Sequence, residues 1–492
     1  MPAAFRYKAW QTKTGSWIFL TIKGKMYSMK IIFSQLTLIM AALLLAEAST
    51  RAATYTPLYS FSALSSTDTN LDGSGPIADL VLAGGTLYGT AADGGTNGLG
   101  TVFAINTDGQ DFTNIHNFDF PTNGSGPLAA LVLSGDTLYG TTRAGGTNGL
   151  GTVFAIRTNG TGFGLLHQFG SVLQEDPATQ LNVNSDGAYP ETELVLSSNT
   201  LYGATEQGGS GGNGTLFKIN TDGSGFTLLH NFTNQDGGYP SVHMVVSGTN
   251  LFGATRFGGS ASDTGYGGGN GTLFRVNTNG TGFTNIYIMG EYDADPFAGL
   301  VLSSNTLYGT TLLGSGGSNS PPYGSVFKIN TDGTGFTNFY ILDPELGGAD
   351  PSAGLVIHGN TIYATEEGFD YGGTVFQVNT DGTGYTNLTS FNSVGDPETL
   401  TGLVLASGTL YGTAWNGGAY GSGEVFALTL TLTSAPSLNI QLMNKSVVLS
   451  WNDPSFSLYS APTLSSVFTN ITGATSPYTN TITPSQQYFQ LQ

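Results

Sequence analysis

The sequence predicts an all-β protein: a seven-bladed β-propeller of four-stranded blades, followed by a small β-sandwich-like domain. Three observations predict this fold class. The chain of 492 residues contains 73 glycines and only 10% charged residues, a composition that favours short strands and tight turns over helices. One segment recurs seven times along the chain. Within each copy, apolar and polar residues alternate with the period of two that strands require.

The repeated segment is marked by the triplet Leu-Tyr-Gly or a close variant. Consecutive copies of its central aromatic residue are 48 to 63 residues apart, which is the length range of propeller blades. A proline lies 12 residues before six of these aromatics, so the copies share one register. The seven aromatics are Tyr88, Tyr139, Tyr202, Phe252, Tyr308, Tyr363 and Tyr411.

The second copy shows the four strands that each repeat is expected to form. They are predicted over Ala129–Leu133, Thr137–Thr142, Thr152–Arg157 and Phe163–Phe169. The turn between the third and fourth strands is Asp-Gly or Asn-Gly in six copies, because a tight hairpin needs a positive φ there. Each copy therefore predicts one antiparallel sheet.

The two ends of the repeat region predict how the ring closes. The third strand is present seven times, but the fourth strand follows it only six times. The missing copy stands at the other end, where Tyr55 to Phe61 resembles Phe112 to Phe118. We therefore expect this N-terminal strand to pair with the third strand of the last copy and to remove the exposed sheet edge.

The expected domain boundaries follow from these patterns. Residues 54–433 form the propeller, and residues 434–492 form a small β-domain of about six short strands, predicted from alternating apolar positions around Val447, Leu449 and Trp451. Residues 1–52 form an N-terminal extension that contains an export signal. Almost no helix is expected after the signal is removed.

The export signal is predicted from the order of residue types near the N-terminus. Lys23, Lys25 and Lys30 precede an apolar run from Ile31 to Leu45, and small residues follow up to Ala53. The run is 15 residues long, shorter than the roughly 20 that a membrane-spanning helix needs. We therefore expect cleavage, a secreted, cell-surface or periplasmic protein, and no stable membrane span. Translation from Met26 or Met29 would give a signal of conventional length.

Composition excludes several classes of function. The chain has no cysteine, so disulfides, thiolate metal sites and cysteine nucleophiles are ruled out. Seven of the 14 basic residues precede Ala53, which leaves 7 basic against 32 acidic residues in the remaining chain, a formal charge of −25. Such a surface repels phosphate backbones, so nucleic acid is not an expected partner.

Several motifs recur in fixed order and are all visible between Gly124 and Phe169: Leu-Val-Leu, Leu-Tyr-Gly-Thr-Thr, Gly-Gly, Gly-Thr-Val-Phe, Asn-Gly and a final Leu-His-x-Phe. This combination resembles the GloVer tandem repeat of the bacterial choice-of-anchor proteins, over residues 54 to 430. The resemblance implies an exported protein with a surface-anchoring segment. It carries no catalytic residues over to this chain.

One face of the predicted propeller is the candidate working surface. Connections from strand two to three, and from strand four to the next blade, share this face and vary in length and chemistry, as binding loops on a rigid scaffold do. We call it the variable face. Four residues past the repeat aromatic, charged or aromatic residues occur in five copies: Arg143, Glu206, Arg256, Glu367 and Trp415.

Two interpretations of these residues stay open. They are either ordinary variation in solvated loops or a ring of ligand contacts. In the second case Trp415 and three tyrosines are available to stack on sugar rings, while the charged residues bond hydroxyl groups. The three tyrosines are Tyr266, Tyr323 and Tyr420.

Carboxylates also recur just before the innermost strand, at Asp186, Asp236, Asp295, Asp350 and Asp396. Oxygen ligands of this kind hold Ca²⁺, and Asp295, Asp350 and Asp396 are weak metal candidates on that ground. A second interpretation is that aspartate beside proline or glycine is simply a turn former. No other cofactor is expected.

The five histidines are expected to be structural or to lie on the surface. His116, His167 and His230 share one strand-four position that is tyrosine or threonine in other copies, which indicates packing. His243 and His358 are interpreted as isolated surface residues.

Three functions remain compatible with the sequence. The first is a non-catalytic, monomeric binding module whose ligand is a carbohydrate or another surface protein. The second is a polysaccharide lyase or glycosidase acting at the variable face. The third is a purely structural envelope protein.

Overall fold

The computed structural model describes residues 51–170, 182–240, 243–259, 269–290, 294–312, 323–342, 351, 353–367, 372–391 and 400–432, and several separate strands outside these ranges. All regular secondary structure in the described part is β. That part includes no helix with the length and apolar character needed to cross a bilayer.

The chain divides into two compact units, residues 51–431 and residues 1–50 with 432–492. The second unit contains one three-stranded N-terminal sheet, formed by Arg6–Thr12, Gly15–Ile22 and Lys25–Ile31. The predicted signal run from Ile31 to Leu45 lies almost wholly outside the described residues. The signal and the domain boundaries remain predictions.

Among its described residues, the same unit contains six C-terminal strands. They form two three-stranded sheets. The strands are Asn439–Met443, Ser446–Ser450, Leu458–Ala461, Thr469–Asn470, Tyr478–Thr481 and Tyr488–Leu491.

The first unit is a ring of seven four-stranded antiparallel blades, as predicted. Strand one is three residues long in every blade: Val81–Ala83, Val132–Ser134, Val195–Ser197, Val245–Ser247, Val301–Ser303, Val356–His358 and Val404–Ala406. Strand two is six residues long: Thr86–Ala91, Thr137–Thr142, Thr200–Thr205, Asn250–Thr255, Thr306–Thr311, Thr361–Glu366 and Thr409–Ala414.

Strand three pairs with strand two and is longest in the last blade: Thr101–Asn106, Thr152–Arg157, Thr215–Asn220, Thr272–Asn277, Ser325–Asn330, Thr374–Asn379 and Glu424–Leu432. Strand four is five residues long in six blades: Thr113–Asn117, Gly164–Gln168, Thr227–Asn231, Thr284–Ile288, Thr337–Ile341 and Thr386–Ser390. A two-stranded ribbon, Gln174–Glu175 with Asn182–Val183, lies in the connection between the second and third blades.

The ring closes as predicted. The N-terminal strand Arg51–Ser60 is the outer strand of the seventh blade and pairs with Glu424–Leu432. Just beyond it, the backbone N–H of Phe61 donates to the carbonyl of Gly423 at 3.0 Å. Every third strand therefore has a fourth-strand partner, and the third strand of the last blade is not left as an exposed edge.

Strand two and strand three of the second blade span the predicted residues, but strand one is shorter than predicted. It covers Val132–Ser134 rather than Ala129–Leu133. The reason is that the segment before it bonds to the neighbouring blade instead of to its own sheet. The N–H of Gly126 donates to the carbonyl of Leu99 in the preceding blade at 3.1 Å.

Each blade packs on the next through buried phenylalanines. Phe103, Phe154 and their equivalents in strand three are fully buried, and so is Phe118 at the end of strand four. Glycine in the repeat triplet suits this packing, since a Cβ on Gly140 would lie 2.6 Å from Cζ of Phe154. The sixth blade has the next smallest residue, Ala364, opposite Phe376. The small residue that follows the repeat aromatic thus allows strand two to lie close to the phenylalanine of strand three.

The strand-four histidines are structural, as predicted. Their rings stack on the aromatic residue that begins strand four of the next blade. His230 and Phe283 have centroids 3.6 Å apart with an angle of 2° between the ring planes. Tyrosine fills the same position in other blades, as in the 3.7 Å stack of Tyr59 on Phe112. A repeated aromatic pair therefore joins consecutive blades near their outer strands.

Candidate functional site

The variable face is held together by backbone hydrogen bonds that run from blade to blade. The residue four positions past the repeat aromatic donates its N–H to the residue that precedes the blade's proline. Arg143 donates in this way to Gly126 at 2.9 Å, and Glu206 donates to Tyr189 at 3.0 Å. The acceptor residue in turn donates to the preceding blade, as Tyr189 does to the carbonyl of Leu150 at 2.9 Å. The backbone that carries these side chains is therefore fixed by hydrogen bonds.

The residue before the proline adopts a positive φ, which favours glycine. Gly75 and Gly126 occupy it in the first two blades, with φ of 64° and 61°. Tyr189, Tyr239 and Asp295 occupy it in the next three blades, with φ between 57° and 58°. A non-glycine residue there costs about 1–2 kcal/mol, so large side chains are retained at this edge of the variable face despite strain.

Arg143 and Glu206 are brought together by Glu191, which the sequence analysis did not single out. The guanidinium of Arg143 forms an ion pair with Glu191 and lies 5.3 Å from the ring centre of Tyr189. Glu206 is half-buried beside the same carboxylate. Burial, the charge of Glu191 and a hydrogen bond between the two carboxyl groups raise the pKa of Glu206 to about 7. Glu206 can therefore hold a proton near neutral pH.

Arg256 is held in the neighbouring blade by two hydrogen bonds. Its Nε and one terminal nitrogen each donate to a different oxygen of Asp295 at 2.9 Å. The guanidinium also lies 4.5 Å from the ring centre of Phe297. Asp295, a weak metal candidate from the sequence, thus has an arginine partner. We call Arg143, Glu191, Glu206, Arg256 and Asp295 the rim cluster.

Trp415 and Tyr420 lie in the strand two to three loop of the seventh blade and are 47% and 63% exposed. The indole packs against Gly75, where a Cβ would lie 2.7 Å from its Nε1. All six large hydrophobic side chains that the described residues expose are at the variable face, in its loops or at the adjoining ends of strand four. They are Leu71, Phe120, Ile288, Ile341, Trp415 and Tyr420.

The remaining sequence candidates are spread over other blades. Glu367 directly follows strand two of the sixth blade, and Tyr323 precedes strand three of the fifth; both are half-buried. Tyr266, Asp350 and Asp396 lie outside the described residues. Whether any of the predicted residues contacts a ligand remains a prediction.

Asp186 and Asp236 have a structural role that joins two separate sequence observations. Asp186 lies 3.3 Å from Nε2 of His167, and Asp236 lies 3.0 Å from Nε2 of His230. Each also accepts a backbone N–H at the start of its connection, from Gly170 at 3.0 Å and Thr233 at 2.9 Å. In the described part of the chain no three acidic or histidine residues are grouped so as to hold a metal ion.

The interpretation of His243 as an isolated surface residue is wrong. Its Nδ1 is hydrogen-bonded to Glu193, a residue of the preceding blade. It lies two residues before the inner strand Val245–Ser247. No local motif indicates the pairing, because the two residues are 50 positions apart. His358 is exposed, as expected.

The missed residues share one sequence signal. Glu191 directly follows Pro190, and Tyr189 directly precedes it. When the copies are aligned on their prolines, rather than on the loops after the aromatic, the residues on either side of the proline are seen to vary while the proline itself is kept.

The repeat decides the family of the chain. The model of the Gloeobacter/Verrucomicrobia repeat matches residues 47–184, 178–320 and 260–444. The chain belongs to this family. The GloVer resemblance drawn from the motifs is therefore confirmed. No curated protein is similar enough in sequence to count as a match.

Solved structures similar to this member of the Gloeobacter/Verrucomicrobia repeat family are distant. An oligogalacturonate lyase in complex with manganese is 10% identical, with a TM-score of 0.46 over 77% of this chain and 98% of that chain. Polysaccharide lyase Uly1 is 13% identical, with a TM-score of 0.44 over 79% and 95%. A chain of a nidogen/laminin complex is 11% identical, with a TM-score of 0.36 over 60% and 91%. Likenesses this weak carry no argument about function.

Proposed function

We propose that the propeller is an exported, non-catalytic binding module that takes a carbohydrate at its variable face. The observation that carries this proposal is the one-sided exposure of large apolar side chains. Trp415 and Tyr420 are exposed on one loop, while the described turns of the opposite face expose no such residue. Exposed aromatic side chains beside polar groups are the usual means of holding sugar rings.

The rim cluster supports the same proposal because its polar groups are already positioned. Arg256 is fixed by Asp295, and Arg143 is fixed by Glu191. A side chain that is ordered before binding loses less conformational entropy when it bonds a ligand hydroxyl.

A glycosidase activity is less well supported by the rim cluster. Glycosidases that use two carboxyl groups keep them about 5–5.5 Å or about 6.5–9.5 Å apart, to leave room for the sugar or for water. Glu191 instead forms an ion pair with Arg143, and it lies close enough to Glu206 to raise the pKa of that group. A surface-protein ligand would use the same side chains, because protein interfaces are also rich in aromatic residues and arginine. A purely structural role does not account for their exposure on one face.

A glycan array with the purified chain tests the proposal. We expect binding to at least one glycan, and we expect Trp415→Ala and Arg143→Ala to weaken it about tenfold or more. Arg157→Ala is the matched control, because Arg157 belongs to the same blade as Arg143 but is exposed at the opposite face. Equal loss in the control, or reducing-sugar release from a bound glycan, would contradict a non-catalytic site at the variable face.

A further inference from the structure

One repeat position, two residues before each inner strand, faces the axis of the ring. It lies nine residues before the repeat aromatic and is occupied in the seven blades by Asp79, Ala130, Glu193, His243, Gly299, Gly354 and Gly402. Contacts between these residues cross the ring. A Cβ on Gly354 of the sixth blade would lie 3.1 Å from Asp79 of the first blade. Side chains that meet across blades that are not neighbours must converge on the axis.

Three ionisable side chains meet there. Glu193 of the third blade bonds Nδ1 of His243 of the fourth blade. Asp79 of the first blade interacts electrostatically with both. His243 keeps 39% of its side chain accessible although inner strands surround it, as expected for a group that faces a central channel.

Glycine in the neighbouring seventh blade makes room for Asp79. The N–H of Gly402 donates to Oδ1 of Asp79 at 2.7 Å. A Cβ on Gly402 would lie 2.2 Å from Oδ2 of the same carboxylate. Any larger residue at position 402 would therefore displace the carboxylate from the axis.

The charges of this group do not balance. Burial alone would lower the pKa of His243, but the charge and hydrogen bond of Glu193, together with the charge of Asp79, raise it to about 9. The imidazolium therefore neutralises Glu193. Burial and the charge of Glu193 raise the pKa of Asp79 to about 6, so it is mostly ionised at pH 7. Its Oδ2 has no hydrogen-bond donor in the described part of the chain.

Asp79 is half-buried, and a half-buried carboxylate without a paired cation favours a ligand that brings one. A metal ion fits poorly, because a protonated imidazole cannot act as a ligand and no metal-holding group of three is present among the described residues. An ammonium group fits better, since it donates hydrogen bonds and carries one compact charge.

We propose that Asp79 binds the ammonium group of an amino sugar, so that the ligand of the variable face is a glycan with free amino groups. This rests on the proposed carbohydrate-binding function. Asp79 follows Pro76 by three residues and thus lies near the variable-face end of its inner strand. Trp415 packs on Gly75, four residues away, which is about 13 Å of extended chain. A short oligosaccharide can span the indole and the axis.

Titration calorimetry of the full chain at pH 7 tests this with three trisaccharides: glucosamine, N-acetylglucosamine and glucose. We expect the glucosamine trisaccharide to bind at least about tenfold more tightly than the other two. Asp79→Asn, which keeps an oxygen to accept the Gly402 N–H, should remove this preference without abolishing weak binding. Asp136→Asn, an exposed aspartate in a turn of the opposite face, should leave the preference unchanged.

Two further variants keep the result decisive if Asp79→Asn does not fold. His243→Gln leaves Glu193 without its counter-charge and should tighten glucosamine binding severalfold. Trp415→Ala should weaken all three sugars by a similar factor and keep their ratio.

Five outcomes would overturn the proposal. Equal affinities of the wild-type chain for the three sugars, or a preference that survives Asp79→Asn, would remove Asp79 from the site. Tighter binding of a trilysine peptide than of the glucosamine trisaccharide would assign the axis to a peptide. Binding of the neutral sugars alone would overturn the amino-sugar inference but leave the proposed function standing, whereas absence of any glycan binding would overturn both.

Discussion

At the scale of single residues, the buried glutamates of the last two blades show how a repeat accommodates an ionisable side chain. Five blades begin strand four with phenylalanine, at Phe112 and its equivalents, but the sixth and seventh have Tyr385 and Tyr55. The hydroxyl of Tyr385 donates to Oε1 of Glu366 at 3.2 Å, and that of Tyr55 donates to Glu424. Each glutamate occupies an end-of-strand position that is threonine in most other blades, so the substitutions are paired.

Glu366 makes the stability of the propeller depend on pH. It is 1% exposed, and burial raises its pKa to about 7 although the Tyr385 hydroxyl opposes the shift. The folded chain therefore holds this proton more tightly than the unfolded chain, whose ordinary value is 4.5. The stabilisation is complete below about pH 4.5 and is lost as the pH rises through 7, by about 3 kcal/mol in total.

Denaturant unfolding at pH 5 and pH 8 checks this expectation. The Glu366→Gln chain should lose less stability between the two values than the wild type, because a neutral amide needs no proton. Asp222→Asn, in an exposed turn, should behave like the wild type. An equal loss of stability in all three chains would show that Glu366 does not carry the dependence.

Sequence reasoning at this scale identified positions but not partners. The histidines of strand four and the aspartates before strand one were both recognised as repeat features. Their pairing depends on the turn that brings the end of strand four back to its own connection, and no spacing rule states it. The ion pairs of Glu191 and Glu193 join residues 48 and 50 positions apart in different blades, which no local pattern encodes.

At the scale of elements, the connection from strand four to the next blade is fixed by a carboxylate. Asp72 bonds the hydroxyl of Tyr59 at 2.8 Å and accepts the N–H of Ser62 at 2.8 Å. Asp236 bonds His230 and Thr233 in the same way. The connection into the second blade has Asn123 at this place, which accepts the N–H of Asp119 but does not bond His116.

His116 therefore allows a test of whether a carboxylate in the connection bonds the strand-four side chain. Burial lowers its pKa to about 4, and its Nε2 is buried without a hydrogen-bond partner among the described residues. Asn123→Asp should supply the missing carboxylate and raise the pKa of His116 by about 2 units. NMR titration of the histidine ring measures this directly. Asn159→Asp, in the strand three to four turn of the second blade, should not move the value, and an unmoved value in Asn123→Asp would contradict the pairing.

Strand boundaries were predictable where the sheet alone decides them. Strands two and three of the second blade span the residues that alternation and turn chemistry predict. Strand one was not, because the residues after the proline bond to the neighbouring blade, as the N–H of Leu300 does to the carbonyl of His243 at 3.2 Å. A hydrogen bond between blades leaves no alternation of apolar and polar residues in the sequence from which it could be predicted.

At the scale of the whole molecule, closure determines both the number of blades and the position of the site. The count of seven could be predicted because the N-terminal strand and the last third strand each lack a partner within their own copy. The convergence of Asp79, Glu193 and His243 on the axis could not be predicted, since it requires the ring to be closed first.

Thermal unfolding of two shortened chains tests closure most directly. A chain that begins at Arg51 retains the strand Arg51–Ser60, whereas a chain that begins at Ser62 lacks it together with the buried Phe61. We predict that the first keeps the cooperative transition of the propeller and that the second aggregates or unfolds at a much lower temperature. An identical transition temperature for the two chains would contradict a ring closed by its N-terminal strand.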